Sequence, residues 1–159
     1  MKTAHFPTGD EPVEHDERAA LSTSLKGRVF ASPARAARET AAWIAPTFEI
    51  DSAFIDIDYG RWRGLSLSDL SESEPKNIHA WLTDPDARPH GGESIAMLAK
   101  RVGQALDRLA TEESDEQCIV VTHAIVVKVA LAHVRGEPLA NVLRMDISPL
   151  SSTELKLSP

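Results

Sequence analysis

Cysteine is nearly absent from this sequence, since Cys118 is the only one among 159 residues. A single thiol excludes a disulfide within the chain, and a chain without disulfides is typical of a reducing compartment. Cys118 opens the apolar run CIVV, so we expect it to be buried in the core rather than to act as a reactive group.

Long apolar runs are absent as well. No stretch approaches the roughly 20 apolar residues that span a bilayer, and the N-terminal residues MKTAHFPTGDEPVEHDERAA contain no apolar core of a signal peptide. These two absences predict a cytoplasmic protein.

Basic residues are in the minority. The chain has 17 Lys and Arg against 24 Asp and Glu, which gives a formal net charge of −7 with its six histidines neutral. This balance argues against nucleic acid or an anionic membrane as the main partner. An anionic substrate would therefore need a local basic pocket.

What remains is an ordinary globular composition. Hydrophobic residues make up 42% of the chain and charged residues 26%, and a chain of this length can bury a sizeable core. The sequence contains no internal repeat, low-complexity tract or linker. Residues 1–159 are therefore predicted to form a single domain.

Short strands and helices are predicted to alternate along the chain, after an irregular loop over residues 1–15 and a short helix over 16–26. The strands are predicted at RVFAS, TFEIDSAFIDID, CIVV and STELKL, which are residues 28–32, 47–58, 118–121 and 152–157. The helices are predicted from Pro33 to Ile44 with Ser32 as the N-cap, from Ser94 to Leu109, and from His123 to Gly136. Residues 65–92, with a helix after Pro75, are interpreted as a cap insertion.

This alternation is typical of a three-layer α/β fold, in which helices flank a mostly parallel central sheet. Ligands of such folds bind outside the carboxyl ends of the strands. Thr122 and His123 directly follow the strand CIVV, and the next helix starts at once. Free N–H groups and the helix dipole favour an anion at that point.

Two further helix starts are expected near this anion pocket. ASPARAARET supplies Arg35 and Arg38, and HGGES supplies Glu93 after two glycines that let the backbone approach a ligand closely. Each residue also has an ordinary interpretation. A histidine at a strand end is more often structural, the arginines fit a solvated helix face, and Glu93 fits a carboxylate favoured by the helix dipole. No spacing of ligand residues predicts a metal site, and no cofactor is expected.

Four segments resemble the histidine phosphatase superfamily, whose fold is phosphoglycerate-mutase-like. ASPARAARETAAWI is similar to the family's S-S-P-L-x-R-A-x-x-T-A, and IDIDYGRWRGLSLSDL is similar to E-I-D-x-G-x-W-E-G-L. PHGGES matches P-x-G-G-E-S, and IVVTHAIVVKVALAHVRGEPLANVLRMDISPLSSTELKL matches the terminal S/T-H-G segment with its following helix and strand. The four segments occur in the family's order.

The resemblance implies hydrolysis of small phosphate monoesters. It gives Glu93 the position of the general acid and His123 that of the second histidine, which helps to hold the phosphoryl group. Arg35, Arg38 and Thr122 are the candidate phosphate ligands. The implied partner is a small phosphorylated molecule or phosphate.

Two groups of the family's pocket are missing from the chain. There is no R-H-G motif, whose histidine is the family's nucleophile, and Ala36 stands where S-P-L-x-R-A has its arginine. One helical step rotates a side chain by about 100°, so Arg35 is expected to miss the phosphate unless the first turn is rewound, with Arg38 as a weaker substitute. His5 or His15 would be a replacement nucleophile.

The missing motif belongs to a central strand beside the strand that carries His123 in this fold. Its absence would expose unpaired backbone. Either the true start codon lies upstream or a partner chain completes the sheet, so a homodimer is a reasonable expectation. We expect a histidine phosphatase family member with weak or absent activity, or alternatively a non-catalytic anion-binding or protein-interaction relative.

Overall fold

The computed structural model describes residues 5–13, 27–112, 117–147 and 151–157. The strands in these ranges are β1 (Arg28–Ala31), β2 (Glu49–Ile50) and β3 (Cys118–Val121). The α-helices are α1 (Arg35–Ile44), α2 (Leu67–Ser73), α3 (Pro75–Thr83), α4 (Ile95–Thr111) and α5 (Ala124–Arg135). The helix predicted over residues 16–26 lies outside the described residues. Across the described ranges, none of the helices has the length and apolar character needed to cross a bilayer.

The three strands form one parallel sheet in the order β2-β1-β3. Ala31 of β1 pairs with Ile50 on one side and with Val121 on the other. The chain crosses from β1 to β2 through α1, because parallel neighbours need a crossover connection rather than a tight turn. The predicted α/β class, with a parallel sheet flanked by helices, is confirmed.

Side chains on β1 and β3 alternate between the two faces of the sheet. Val29 and Ala31 pack with Ala41 of α1 in one apolar cluster. Val120 of β3 packs against the main core instead. Helices therefore lie against both faces of the sheet.

The main core joins α4 and α5. Leu98 and Val102 of α4 and Val126 and Val129 of α5 are almost completely buried in it. Ser94 caps α4 by accepting a hydrogen bond from a backbone N–H of its first turn. The long helix predicted from apolar spacing is therefore confirmed.

Residues 65–92 contain α2 and α3 and share the main core. Trp81 of α3 packs edge-on against Trp62 and His90, with ring centroids 6.2 and 4.8 Å apart. Pro75 opens α3, as predicted. The role of this segment as a cap stays a prediction.

Two strand predictions are wrong, one in its length and one entirely. Of residues 47–58, only β2 pairs in the sheet, because Asp51 then caps the 3₁₀-helix Ser52–Phe54 by accepting from the N–H of Ala53. Residues 152–157 form no strand. The two leucines of that segment pack against the main core, which accounts for the alternation without pairing.

β3 is less buried than its apolar sequence predicts. Cys118 is exposed, and the other three side chains of the strand are half-buried. Among the described residues, β1 is the one strand paired with β3, so its other edge lacks the cover of a central strand. The expected burial of Cys118 is therefore wrong.

Candidate functional site

His123 lies between the last residue of β3 and the first residue of α5, as predicted. It is the N-cap of α5, with extended backbone angles (φ −105°, ψ 154°). The first N–H groups of an α-helix have no partner within the helix, and the dipole adds positive potential at that end. This corner of the sheet therefore favours an anion.

The register of the sheet brings Ser32 to His123. Ala31 of β1 is paired with Val121 of β3, so the residues that follow the two strands are neighbours. Ser32 Oγ lies 2.8 Å from His123 Nε2, and Ser32 is fully buried. This contact holds one ring nitrogen of His123.

Asp56 approaches the other ring nitrogen of His123. Its Oδ2 lies 3.8 Å from Nδ1, and the two side chains are only 15% and 20% exposed. Burial raises the pKa of Asp56, against the opposing effects of His123 and of the N–H of Ile57. Burial lowers the pKa of His123, against the opposing charge of Asp56. Burial therefore shifts both groups toward their uncharged forms, against the attraction between their charges.

Asp56 has no role predicted from the sequence, although it lies in the segment IDID that carries part of the resemblance. The available signal was a carboxylate between Ile55 and Ile57, since a carboxylate within an apolar run needs a partner when it is buried. The sequence did not reveal the 3₁₀ turn that carries Asp56 to His123.

Thr122 connects the end of β3 to the segment that precedes Asp56. Its hydroxyl donates to the carbonyl oxygen of Phe54 at 2.6 Å. The hydroxyl proton is thus used within the protein. For the predicted contact of Thr122 with phosphate, the donor would have to be its backbone N–H.

Glu93 forms a bidentate ion pair with Arg101 of α4. Nε and Nη2 of Arg101 lie 3.0 and 2.8 Å from the two carboxylate oxygens of Glu93. The N–H of Asp58 donates to the same carboxylate at 3.3 Å. Both oxygens of Glu93 therefore accept from donors inside the protein.

Arg35 and Arg38 are exposed on α1. The helix begins at Arg35 with Ala34 as its N-cap, so the prediction of Ser32 as the N-cap is wrong; its hydroxyl is used in the site instead. Arg38 N–H donates to the Ala34 carbonyl as in a regular first turn, and Nε of Arg35 donates to Glu39 at 2.8 Å. Arg35 is thus paired along its own helix.

A loop close to α1 brings a further carboxylate toward the site. Glu11 accepts from the N–H groups of Thr8 and Gly9 at 2.7 and 2.9 Å. Desolvation raises the pKa of Glu11, but these hydrogen bonds outweigh it and the pKa falls to about 2. Its negative charge raises the pKa of His123. The Gly9 carbonyl accepts from the N–H of Arg35 at 3.2 Å, which anchors the loop to the helix.

Comparisons with known sequences identify the family of this chain. The model of the histidine phosphatase superfamily (branch 1) matches residues 15–159. A bifunctional protein of Mycobacterium tuberculosis is 30% identical over 138 residues, which are 86% of this chain and 37% of that protein. Phosphoserine phosphatase 1 of Hydrogenobacter thermophilus is 25% identical over 117 residues, which are 70% of this chain and 56% of that protein. The chain thus spans between a third and three fifths of the length of these relatives.

Solved structures share the fold. A mycobacterial glucosyl-3-phosphoglycerate phosphatase superposes with a TM-score of 0.75 at 21% identity, over 91% of this chain and 77% of that one. The α-ribazole phosphatase of Shigella flexneri gives 0.73 at 22% identity, over 91% and 78%. With the family model matched over most of its length, this chain belongs to the histidine phosphatase superfamily, branch 1.

Proposed function

We propose that this chain binds the phosphoryl group of a small phosphate monoester beside His123 and hydrolyses such esters weakly. One observation carries this function: the half-buried His123 lies between Ser32 and Asp56 at the N-terminus of α5. A helix N-terminus favours a phosphoryl group, and a protonated carboxyl can act as a general acid. Relatives named as phosphatases support the substrate class.

In the proposed reaction, His123 holds the phosphoryl group while Asp56 protonates the ester oxygen. The P–O bond to the leaving group breaks, and the leaving group departs as an alcohol with the proton from Asp56. Water adds its oxygen to phosphorus, and one of its protons returns to the Asp56 carboxylate. The raised pKa of Asp56 suits this step, because a carboxyl must be protonated before it can donate. Glu93, the acid implied by the resemblance, is the less suitable donor because Arg101 holds it.

The predicted phosphate ligands Arg35, Arg38 and Thr122 have a smaller part. Arg35 would have to leave Glu39 to reach a phosphate, and Arg38 is exposed on the same helix. Thr122 would contribute only through its backbone. Positive charge near the phosphoryl group is therefore lower than a set of converging arginines would give.

Slow turnover is expected from the chain. It contains no R-H-G motif, so a covalent step has no assigned nucleophile. His5 stays a candidate replacement, and His15 lies outside the described residues. What remains is positioning and charge stabilisation at His123 and Asp56.

Hydrolysis of phenyl phosphate tests this function, because its leaving group needs more help from an acid than that of p-nitrophenyl phosphate. His123→Ala and Asp56→Asn should each lower kcat/KM by about 10²-fold or more, and Asp56→Asn should affect phenyl phosphate more strongly. His133 and Asp107 form an exposed ion pair at 3.1 Å, so His133→Ala and Asp107→Asn are matched controls. Equal rates in all five proteins would contradict hydrolysis at this site.

A second candidate function is favoured by Ala36. This residue replaces the family's arginine, and the neighbouring Arg35 is engaged by Glu39, as in a relative that binds anions without turnover. Phosphate binding with no hydrolysis of either ester would support a non-catalytic role. Turnover that depends on His123 would exclude it.

Among the residues that the structure describes, β3 pairs with β1 alone, and we further propose that a second copy of the chain covers the other edge of β3. An unpaired strand edge is a template for pairing with another chain. Sedimentation equilibrium of the chain measures this, and a monomer at all concentrations would contradict it.

A further inference from the structure

We propose that Arg101 and Glu93 form a clamp that positions Asp56 against His123. This inference rests on the proposed function and gives Glu93 a positioning role instead of the acid role. It also assigns Arg101, for which the sequence predicted nothing. Neither residue is required to touch the substrate.

The guanidinium of Arg101 gathers the segment that carries Asp56. Nη1 donates to the carbonyl oxygens of Ala53 at 2.7 Å and of Ile55 at 3.0 Å. Nη2 lies 3.5 Å from the carbonyl oxygen of Asp56. The remaining donors of the same guanidinium bind both oxygens of Glu93.

These hydrogen bonds take the place of the backbone pairing that a neighbouring strand would provide. After β2 the segment from Ala53 to Asp58 pairs with no strand among the described residues, so its carbonyl groups need other donors. Arg101 supplies them on one side, and Thr122 supplies one at Phe54. Glu93 closes the far end, because Asp58 N–H donates to its side chain and its own N–H donates to the Asp58 carbonyl at 2.7 Å.

Only a guanidinium fits this arrangement. It offers five N–H donors in a fixed plane, whereas an ammonium group offers three on a flexible stem. Arg101 and Glu93 are 24% and 15% exposed, so the pair is shielded enough to hold one geometry. A lysine would keep the charge of Arg101 but could not bind the carboxylate and the carbonyls together.

The clamp lies within electrostatic range of the site. The charged groups that act on Asp56 are His123 at the start of α5, Arg101 on α4 and Glu11 from the N-terminal loop. The same Arg101 and Glu11 act on His123. Releasing the segment would therefore weaken the contact between Asp56 and His123 as well as remove a positive charge.

A kinetic comparison separates the clamp from an acid role of Glu93. Glu93→Gln keeps one of the two acceptor oxygens of the clamp and should retain kcat on phenyl phosphate within about 10-fold, whereas an acid role predicts a loss as large as that of Asp56→Asn. Arg101→Lys should lower kcat by about 10-fold or more with little change in KM, since misplacement of a reacting group by about 1 Å can cost 10²-fold. Arg108→Met, on the same helix and paired with Asp51, should match the wild type.

A titration that needs no turnover separates failure of the clamp from failure of the proposed function. NMR follows the pH titration of the His123 ring with and without the Asp56→Asn substitution in three backgrounds, which are the wild type, Arg101→Met and Arg108→Met. Asp56→Asn should lower the pKa of His123 in the wild-type and Arg108→Met backgrounds, and clearly less in the folded Arg101→Met protein. An equal effect in all three backgrounds would overturn the clamp, whether or not the chain hydrolyses phosphate esters.

Discussion

The carboxyl of Asp56 illustrates how function and stability oppose each other at a single residue. Burial raises the pKa of Asp56, and this effect outweighs the opposing effects of His123 and of the N–H of Ile57. The unfolded chain leaves the same group in water at a pKa of 3.8. The folded protein therefore binds an extra proton as the pH rises above that value, and its stability falls through that window.

Asp56→Asn should consequently make the protein more stable at neutral pH. Asparagine has no charge to bury, and its amide oxygen can still accept from the N–H of Ile57, which donates to Asp56 at 2.8 Å. Urea unfolding should show a higher free energy of unfolding for the variant at pH 7, with the difference shrinking as the pH falls toward 3.8. Asp107→Asn is the control. Loss of stability at pH 7 in Asp56→Asn would show that the charged carboxylate is stabilising.

Single residues differ in how well the sequence predicts them. The position of His123 follows from local pattern alone, because an apolar strand runs directly into a helix. The partners of His123 depend on sheet register and on a short turn after β2, which are non-local. Local pattern therefore predicts Ser32 as a helix cap and gives no role to Asp56 or Arg101.

At the scale of whole elements, the loop of residues 58–61 packs against the loop of residues 90–93 through its backbone. The N–H of Arg61 donates to the His90 carbonyl at 3.1 Å, and the N–H of Glu93 donates to the Asp58 carbonyl at 2.7 Å. Gly92 faces this junction, where a Cβ would meet the backbone of Asp58. The loop of residues 58–61 begins at the end of the segment 53–58 that Arg101 and Glu93 hold. The backbone contact between the loops therefore supports the site at His123.

Gly92→Ala should therefore cost about 3 kcal/mol or more of the free energy of unfolding, from overpacking and weakened hydrogen bonds. Gly91→Ala is the matched control: it has a positive φ of 77° but no atom within 4 Å of a Cβ, so it should cost only about 1–2 kcal/mol. Chemical denaturation of both variants measures the difference. Equal losses would mean that the two loops can separate freely.

Elements with a helical repeat were predicted well, and strands less well. α4 and α5 follow from apolar spacing and from a polar cap or terminal glycine, which act within a few residues. Strand alternation is ambiguous, because it also fits a segment that merely buries every second side chain. Residues 47–58 and 152–157 both show this. The first segment pairs in the sheet only through β2, and the second forms no strand.

At the scale of the whole molecule, an aromatic cluster carries a pH-dependent part of the stability. His90 is almost completely buried beside Trp62, Trp81 and Tyr59, and its Nδ1 accepts from the N–H of Gly92 at 2.9 Å. Burial lowers the pKa of His90 from its ordinary value of 6.5. The unfolded chain thus binds the proton first, and stability is lost as the pH falls below 6.5.

His90→Asn should flatten this pH dependence. The asparagine oxygen can replace Nδ1 as the acceptor for Gly92 but does not titrate. Free energies of unfolding measured from pH 7.5 downward should fall less steeply below 6.5 in the variant, although its absolute stability will be lower from lost packing. The exposed His133→Ala should keep the wild-type slope; an unchanged slope in His90→Asn would contradict a buried neutral histidine.

Binding of inorganic phosphate, followed by NMR of the histidine rings, tests most directly whether the corner at His123 is a phosphoryl site. Saturable shifts of the His123 resonances, with the exposed His133 unaffected and the effect lost in His123→Ala, are the predicted result. They would be expected whether the chain turns over esters or only binds them. Shifts that do not saturate, or that are equal at His123 and His133, would contradict an anion site at the end of β3.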